Sequence, residues 1–286
     1  MPKKPLLEFF NVSGENVMPS LEEKLWMWGY TIEKTGSVRI PFVQTPRNFC
    51  SLESAAQYFS FPNAFFMNSM HSWEKIHENL SFCTDMKQIL CALPHGKEET
   101  LQGAEKISRL SLEFPNIKGV VLDDFLQVDG HPVTPELLLE IKQRLCSANP
   151  ALKLAVVMYS DGYHHDVKPF LEPIDIIVLW RWVSTEHFWK AELGPLLHKW
   201  KADTGKTLFH GVYLQNYGEY GDDIAPMDME LWKLQWMRLL QHLQNGNLLD
   251  GCVLLQNGFV NHPQFRDQVV WLHETLQWFL GTTSRR

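Results

Sequence analysis

Eight short apolar runs recur along the chain, and they restrict its fold more than any other feature. A short apolar run with β-branched residues is typical of a strand that is buried on both faces of a parallel sheet. The runs start roughly 23 to 42 residues apart, which is the spacing of a strand followed by a helix and two loops. They occupy residues 25–30, 64–67, 88–93, 119–122, 152–159, 174–180, 207–214 and 249–255.

Segments of helical character lie between several of these runs. Residues 98–114 carry apolar side chains near the spacing of one helix face. Thr134 followed by Pro135 is typical of a helix start, with Thr134 as the N-cap, and this helix is predicted to run to about Cys146. Further helices are predicted near residues 51–59, 228–243 and 266–280.

The alternation of strands and helices predicts an α/β protein with a single (β/α)8 TIM barrel over residues 1–286. Residues 31–49 are predicted to form an extended first βα loop. The main alternative is a doubly wound open sheet, which predicts a glycine-rich phosphate-binding turn after an early strand. Neither GxGxxG nor GxxxxGK[ST] occurs in the sequence, and their absence argues against the open sheet.

Composition limits the kinds of partner that are expected. The net charge is −7 and no block of lysine or arginine occurs, which argues against a nucleic-acid partner. No apolar stretch approaches the length of a transmembrane helix, so no membrane partner is expected. The five cysteines are odd in number and form no CxxC pair, which is typical of free thiols in a reducing compartment. The N-terminal apolar run is too short for a signal peptide, so we expect a cytoplasmic protein.

Two adjacent carboxylates, Asp123 and Asp124, end the fourth apolar run. Burying an unpaired charge is expensive, and the chemistry of a (β/α) barrel lies at the carboxyl ends of its strands, so both are candidate catalytic residues. Because neighbouring strand residues point to opposite faces, one should face the barrel axis and the other the helix layer or the next loop. Asp161, after the fifth run, and Glu219, after the seventh, are the candidates for a second catalytic carboxylate.

Other residues near the ends of the runs are suited to binding a sugar. Amide and charged side chains hydrogen-bond to hydroxyl groups, and Trp or Tyr rings pack against the apolar side of a pyranose. The predicted substrate-binding residues are Trp28, Tyr159, Trp180, Arg181, Trp182, Asn216 and Gln256. No metal or cofactor is expected, because the adjacent His164 and His165 lack the usual metal-ligand spacing. A composite metal site that draws ligands from several strands stays open.

Two short motifs resemble known carbohydrate-active enzymes. Residues 119–125 (GVVLDDF) resemble the strand-four segment of (β/α)8 glycoside hydrolases, in which carboxylates at strand ends act as acid, base or nucleophile. Residues 157–161 (VMYSD) are similar to the Met-x-Tyr-Asp strand of chitinase-like hydrolases, with one inserted residue and on strand five instead of six. The Asp-x-x-Asp-x-Asp-x-Glu signature of those enzymes is missing, so no specific family is assigned.

The resemblance implies that the chain binds or cleaves a small-molecule or oligosaccharide substrate without a cofactor. In such an enzyme one carboxyl protonates the leaving oxygen, and the other serves as nucleophile or activates water. Two alternatives stay open because barrels host many chemistries. One is a metal-dependent sugar isomerase, epimerase or aldolase, and the other is a non-catalytic carbohydrate-binding barrel. The oligomeric state is left open.

Overall fold

Eight parallel strands close into a barrel, in which each strand pairs with its neighbours in chain order and the last pairs with the first. The computed structural model describes residues 20–30, 50–68, 71–126, 133–160, 167–216, 225–244, 248–255 and 257–283. The strands are β1 (Leu25–Tyr30), β2 (Asn63–Met67), β3 (Gln88–Ala92), β4 (Ile117–Leu122), β5 (Lys153–Tyr159), β6 (Ile176–Trp180), β7 (Thr207–Tyr213) and β8 (Gly251–Leu255). All eight lie at the predicted apolar runs, which confirms the (β/α)8 barrel.

The helices pack around the outside of the barrel and begin where the sequence places capping residues. The side chains of Ser51, Ser72 and Thr134 each accept a hydrogen bond from a backbone N–H in the first turn of the helix that follows. The α-helices are α1 (Leu52–Phe59), α2 (Trp73–Ser81), α3 (Lys97–Glu113), α4 (Pro135–Leu145), α5 (Leu193–Thr204), α6 (Met229–Gln244) and α7 (Arg266–Thr283). The five predicted helices are confirmed to within one to three residues at each end.

The fifth unit departs from the regular pattern. In its described part the connection from β5 to β6 contains only a 3-10 helix at Lys168–Phe170. This connection, residues 160–175, is shorter than the others between consecutive strands, and two of its residues are the helix-breaking Pro169 and Pro173. The predicted first loop at residues 31–49 lies outside the described residues, and the prediction of one domain over 1–286 stays a prediction.

Two expectations from the sequence concern membrane-spanning helices and disulfide bonds. Within the described part of the chain, no helix combines the length and the apolar character that crossing a membrane requires. All five cysteines are described and none forms a disulfide bond, as their odd number and wide spacing predict. Four of them are buried, and burial raises the pKa of thiols such as Cys50 to about 11.

The barrel interior is filled by large aromatic side chains. The Trp28 and Phe65 rings are stacked with their centroids 5.1 Å apart, and the Trp28 ring meets the Trp180 ring edge-on at 5.5 Å. Gly211 on β7 makes room for this packing, because a Cβ atom there would lie 2.3 Å from the Trp180 ring. The complete inner cluster is Trp26, Trp28, Phe65, Met67, Leu90, Ala92, Val121, Ala155, Val157, Tyr159, Ile176, Val178, Trp180, Phe209, Tyr213, Val253 and Leu255.

We predict that Gly211→Ala lowers the free energy of unfolding by roughly 1–3 kcal/mol, because the added methyl group forces the Trp180 ring out of its place. Urea unfolding followed by tryptophan fluorescence measures the change. Gly194→Ala is the matched control: a Cβ there has only a contact of 3.8 Å to the His242 ring, so this variant should be as stable as the parent or more so. Equal stability of the two variants would contradict the packing argument.

Candidate active site

The acidic pair lies at the carboxyl end of β4, at the mouth of the barrel. The Val121 side chain belongs to the inner cluster and Leu122 to the outer one, so the inward alternation of β4 continues to Asp123. Asp123 is partly buried, and its Oδ1 accepts a hydrogen bond of 3.0 Å from the backbone N–H of Asp124. This local bond holds the Asp123 carboxyl against the turn that ends the strand.

Asp124 also points toward the barrel mouth, and this corrects the sequence prediction. Its Oδ1 accepts a hydrogen bond of 2.6 Å from the phenolic hydroxyl of Tyr159, an inner-cluster residue on β5. Strand alternation predicted that one of the two aspartates would face the helix layer or the next loop. The alternation does not apply, because the strand ends at Leu122 and Asp124 adopts a left-handed backbone with φ of +48°. Leu126 follows with φ of +65°, so two residues of this turn have a conformation that L-residues rarely adopt.

The two aspartates of the pair have different electrostatic environments. Burial, and after it the neighbouring charge of Asp124, raise the pKa of Asp123 from its ordinary value to about 7. Burial also raises the pKa of the Tyr159 phenol, with further increases from Tyr213 and Asp124. Tyr159 therefore keeps its proton and donates it in the hydrogen bond to Asp124. One carboxyl of the pair holds a proton near neutral pH, and the other is oriented by a phenol.

An aromatic wall faces the acidic pair and is formed by Tyr159 on β5, Trp180 and Trp182 at the end of β6, and Tyr213 on β7. The Trp182 ring lies 5.9 Å from Tyr159 and 6.5 Å from Tyr213, and the Trp180 ring lies 4.9 Å from Tyr213. Trp180 is 2% exposed and Trp182 is 36% exposed. Trp180 and Trp28 therefore support the wall from below, and Trp182 presents a surface that a ligand can meet.

Two predicted substrate-binding residues, Arg181 and Asn216, bind groups outside the acidic pair and the aromatic wall. Arg181 follows the inward-facing Trp180, so its side chain points outward. Its Nε donates a hydrogen bond of 2.7 Å to the carbonyl of Val183, and its guanidinium lies 4.8 Å from the centre of the Phe188 ring. The Oδ1 of Asn216 accepts from the backbone N–H of Ala225 at 3.1 Å and holds together the base of the loop after β7. The remaining predicted residues, Asp161, Glu219 and Gln256, lie outside the described part of the chain.

Sequence reasoning missed three residues at the mouth. Tyr213 follows the inward alternation of β7 that starts at Phe209, and this signal was present in the sequence; Gln215 lies beyond a bend at Leu214, where alternation no longer applies. Asn257, after β8, has a structural role: its amide bonds to the backbone N–H and carbonyl of Tyr30 and to the carbonyl of Cys50. Among the described residues no group of three or more His, Cys, Asp or Glu side chains could hold a metal ion.

Comparison with protein-family models and with curated protein sequences gives no match. Solved structures do match. A candidate α-L-fucosidase from Bacteroides thetaiotaomicron is 8% identical, with a TM-score of 0.59 over 97% of this chain and 99% of that one. A GH128 (subgroup I) endo-β-1,3-glucanase from Amycolatopsis mediterranei, in complex with laminarihexaose, is 8% identical, with a TM-score of 0.56 over 88% and 99% of the two chains. A xylanase and α-amylase inhibitor protein in complex with trehalose is 11% identical, with a TM-score of 0.54 over 86% and 98%. The chain therefore shares the (β/α)8 barrel fold of these proteins, and the likeness at this identity extends to the fold alone.

Proposed function

We propose that the chain is a carbohydrate-active hydrolase that cleaves a glycosidic bond at the mouth of its barrel. The observation that carries the proposal is the acidic pair, in which Asp123 has a raised pKa and Asp124 is hydrogen-bonded by Tyr159, opposite the exposed ring of Trp182. A protonated carboxyl beside an oriented carboxylate and an aromatic platform is the set of groups that acid-catalysed glycoside cleavage needs.

Asp123 is the proton donor to the leaving oxygen in this mechanism. Its raised pKa keeps it protonated up to about neutral pH, so it can deliver a proton as the glycosidic bond breaks. Asp124 is held by the Tyr159 hydroxyl and stabilises the positive charge that develops on the sugar ring. The group that acts as nucleophile or activates water is a second carboxylate from another strand end, and Asp161 and Glu219 remain the proposed residues.

The aromatic wall binds the sugar that flanks the scissile bond. Pyranose rings present an apolar face of C–H groups, and an exposed indole such as that of Trp182 packs against it. The laminarihexaose complex of the endo-β-1,3-glucanase supports an oligosaccharide as the substrate, since that protein has the same barrel fold.

A second candidate function is carbohydrate binding without turnover. The inhibitor protein in complex with trehalose favours it, because that neighbour has the same fold, is an inhibitor protein and holds a sugar. The two functions differ in one measurable result. A hydrolase releases 4-nitrophenol from at least one 4-nitrophenyl glycoside, whereas a binding protein retains the glycoside intact.

We expect Asp124→Asn and Asp123→Asn each to lower kcat/KM by about 100-fold or more, since a positioned acid or charge contributes roughly 10²–10⁴ to the rate. The assay uses 4-nitrophenyl glucosides, galactosides, xylosides, fucosides and arabinosides. Asp203→Asn is the control, because Asp203 lies on the outer face of α5 in an exposed ion pair with Lys199. Full activity in both β4 variants would show that the acidic pair is not catalytic.

The raised pKa of Asp123 predicts how stability depends on pH. The folded pKa of about 7 lies above the ordinary value of 3.8, so the folded state binds this proton more tightly than the unfolded chain does. The stabilisation is fully present below about pH 4 and is lost as the pH rises to 7. Relative to Asp123→Asn, the parent should lose on the order of 2 kcal/mol of unfolding free energy between pH 5 and pH 8. Urea unfolding of both proteins at the two pH values measures this, and equal pH dependence would contradict the assignment.

Trp182→Ala should raise KM about tenfold and change kcat less, because the indole provides contact area to the bound sugar in the ground state and in the transition state alike. Steady-state kinetics on the best 4-nitrophenyl glycoside gives both constants. Trp278→Ala is the control, since this tryptophan is also exposed and lies on α7, in the outer helix layer. A larger effect at Trp278 than at Trp182 would place the sugar elsewhere.

A further inference from the structure

A cavity in the helix layer, outside the barrel wall, is lined by positively charged side chains. It has a volume of about 230 Å³ and lies between α6 and the helical segment that leads into α5. Lys190 and Gly194 line one side of it, and Arg238, Gln241 and His242 line the other. The protein as a whole has a net charge of −7, so this cavity differs in sign from its surroundings. A cleft lined by one sign of charge concentrates ions of the opposite sign.

A π-helix forms the first side of the cavity. It covers Phe188–Glu192 and runs directly into α5. Such turns are rare and frequently occur at functional sites. Trp189 anchors this one: its ring is 2% exposed and lies 5.3 Å from the ring of His210 on β7, and its Nε1 donates to the hydroxyl of Ser184. Because Trp189 is fixed, the next residue, Lys190, is held at the rim of the cavity.

Gly194 keeps the cavity open. Among the described residues, a Cβ atom at this position would meet only the Cε1 of His242 within 4 Å, at 3.8 Å. Gly194 belongs to a regular α-helix and does not have a positive φ, so its backbone conformation does not require glycine. Glycine also weakens a helix relative to other residues. The missing side chain is explained if a ligand occupies this space.

The cationic side chains keep hydrogen-bond donors for such a ligand. Lys190 pairs with Glu186 in an exposed ion pair, and Arg238 donates to the Oε1 of Gln241 at 3.1 Å. An ammonium group has three N–H donors and a guanidinium has five, so each side chain has more donors than these contacts use. His242 follows Arg238 by four residues and therefore lies on the same face of α6.

Positive groups around His242 oppose its protonation. Burial, and after it Arg238 on the same helix and His198 on α5, lower the pKa of His242. Lys190 lines the same cavity, and His210 on β7 is close enough for His242 to lower its pKa as well. The described residues that line the cavity include no aspartate or glutamate. An anion in the cavity would remove this repulsion.

We propose that this cavity binds a phosphate group, either as inorganic phosphate or as the monoester of a small metabolite. Lys190 and Arg238 form charge-assisted hydrogen bonds to it, and the guanidinium fork matches two phosphate oxygens at once. The protonated ring of His242 donates a further bond. The cavity has room for roughly seven water molecules, which suffices for a tetrahedral oxyanion and the first atoms of an attached group. The site lies outside the barrel and does not depend on the proposed hydrolase activity.

The test is a calorimetric titration of the full chain with inorganic phosphate and with glycerol 3-phosphate, at neutral pH and near physiological ionic strength. Glycerol is the neutral control. We expect at least one phosphate probe to bind with a Kd of about 1 mM or lower, and glycerol not to bind. Tighter binding of glycerol 3-phosphate would identify an ester as the ligand class, and tighter or equal binding of inorganic phosphate would identify the free ion. Absence of binding by both phosphate probes would overturn the site.

Arg238→Gln should weaken phosphate binding by roughly tenfold or more, because it removes a charged hydrogen-bond donor. Lys233→Gln is the matched control. Lys233 lies on the same helix in an exposed ion pair with Glu230, about 140° around the helix axis from Arg238, so the same change of charge should leave binding unaltered. Equal losses in the two variants would mean general charge attraction and would contradict a built site.

Gly194→Leu tests the cavity with every charge left in place. The leucine side chain should fill the space next to His242 and abolish phosphate binding. It should not lower the melting temperature, because leucine is a better helix former than glycine. A folded Gly194→Leu protein that binds phosphate like the parent would place the anion elsewhere.

The ring of His242 reports on the position of the bound ion. Saturating phosphate should raise the pKa of His242 toward its ordinary value, because a neighbouring anion favours the imidazolium form. NMR titration of the histidine ring signals, with and without phosphate, measures this pKa, and His273 on α7 serves as the internal reference. An unchanged pKa at His242, or an equal rise at His273, would contradict binding in this cavity.

Discussion

Closure of the eight-stranded sheet is the constraint on which the rest of the structure depends. A closed barrel has a single interior, and each strand directs only every second side chain into it. Pairing of neighbouring strands then fixes the height of each of these side chains along the barrel axis. Aromatic rings occupy many inner positions of β1, β2, β6 and β7. The Trp28, Phe65 and Trp180 rings interlock below the mouth, and the glycine at position 211 leaves the space that the last of them fills. The side chains that line the mouth therefore stand on a rigid, close-packed base.

The fold was largely predictable because its signals are local. A buried parallel strand needs a short apolar run, and a helix start needs a capping side chain such as Thr134, so both can be recognised without knowledge of the partner strands. The β5–β6 connection was the exception. Pro169 and Pro173 break helical structure in this short connection, and the strand spacing alone did not reveal this.

The site was predictable only as far as strand alternation holds. Alternation counted from Trp180 excludes Arg181 and admits Trp182, and counted from Phe209 it admits Tyr213; a choice by residue type alone missed this. The direction of Asp124 could not be found in this way. It depends on a left-handed backbone after the strand and on a hydroxyl from β5, which is distant in the sequence and adjacent only in the closed barrel.

The carboxylates at the two ends of the barrel have different partners, and this difference bears on which end carries the proposed function. At the amino ends of the strands, Asp175 bonds to Lys142 at 2.6 Å and to the Leu154 N–H at 2.7 Å, and Asp250 pairs in the same way with Lys201 and with Leu208 N–H.

At the carboxyl ends, Asp123 and Asp124 lie side by side with no lysine or arginine paired to them among the described residues, and the turn that carries them is left-handed at two positions. Burial of the Asp123 carboxyl and the left-handed backbone at Asp124 and Leu126 both lower stability, and both lie at this end of the barrel. The ion pairs and backbone hydrogen bonds of Asp175 and Asp250 at the amino end supply stability that lets the carboxyl end keep these features. A fold selected for stability alone would remove such an acidic pair or give it a cation as partner, so its presence at the mouth supports the proposed site.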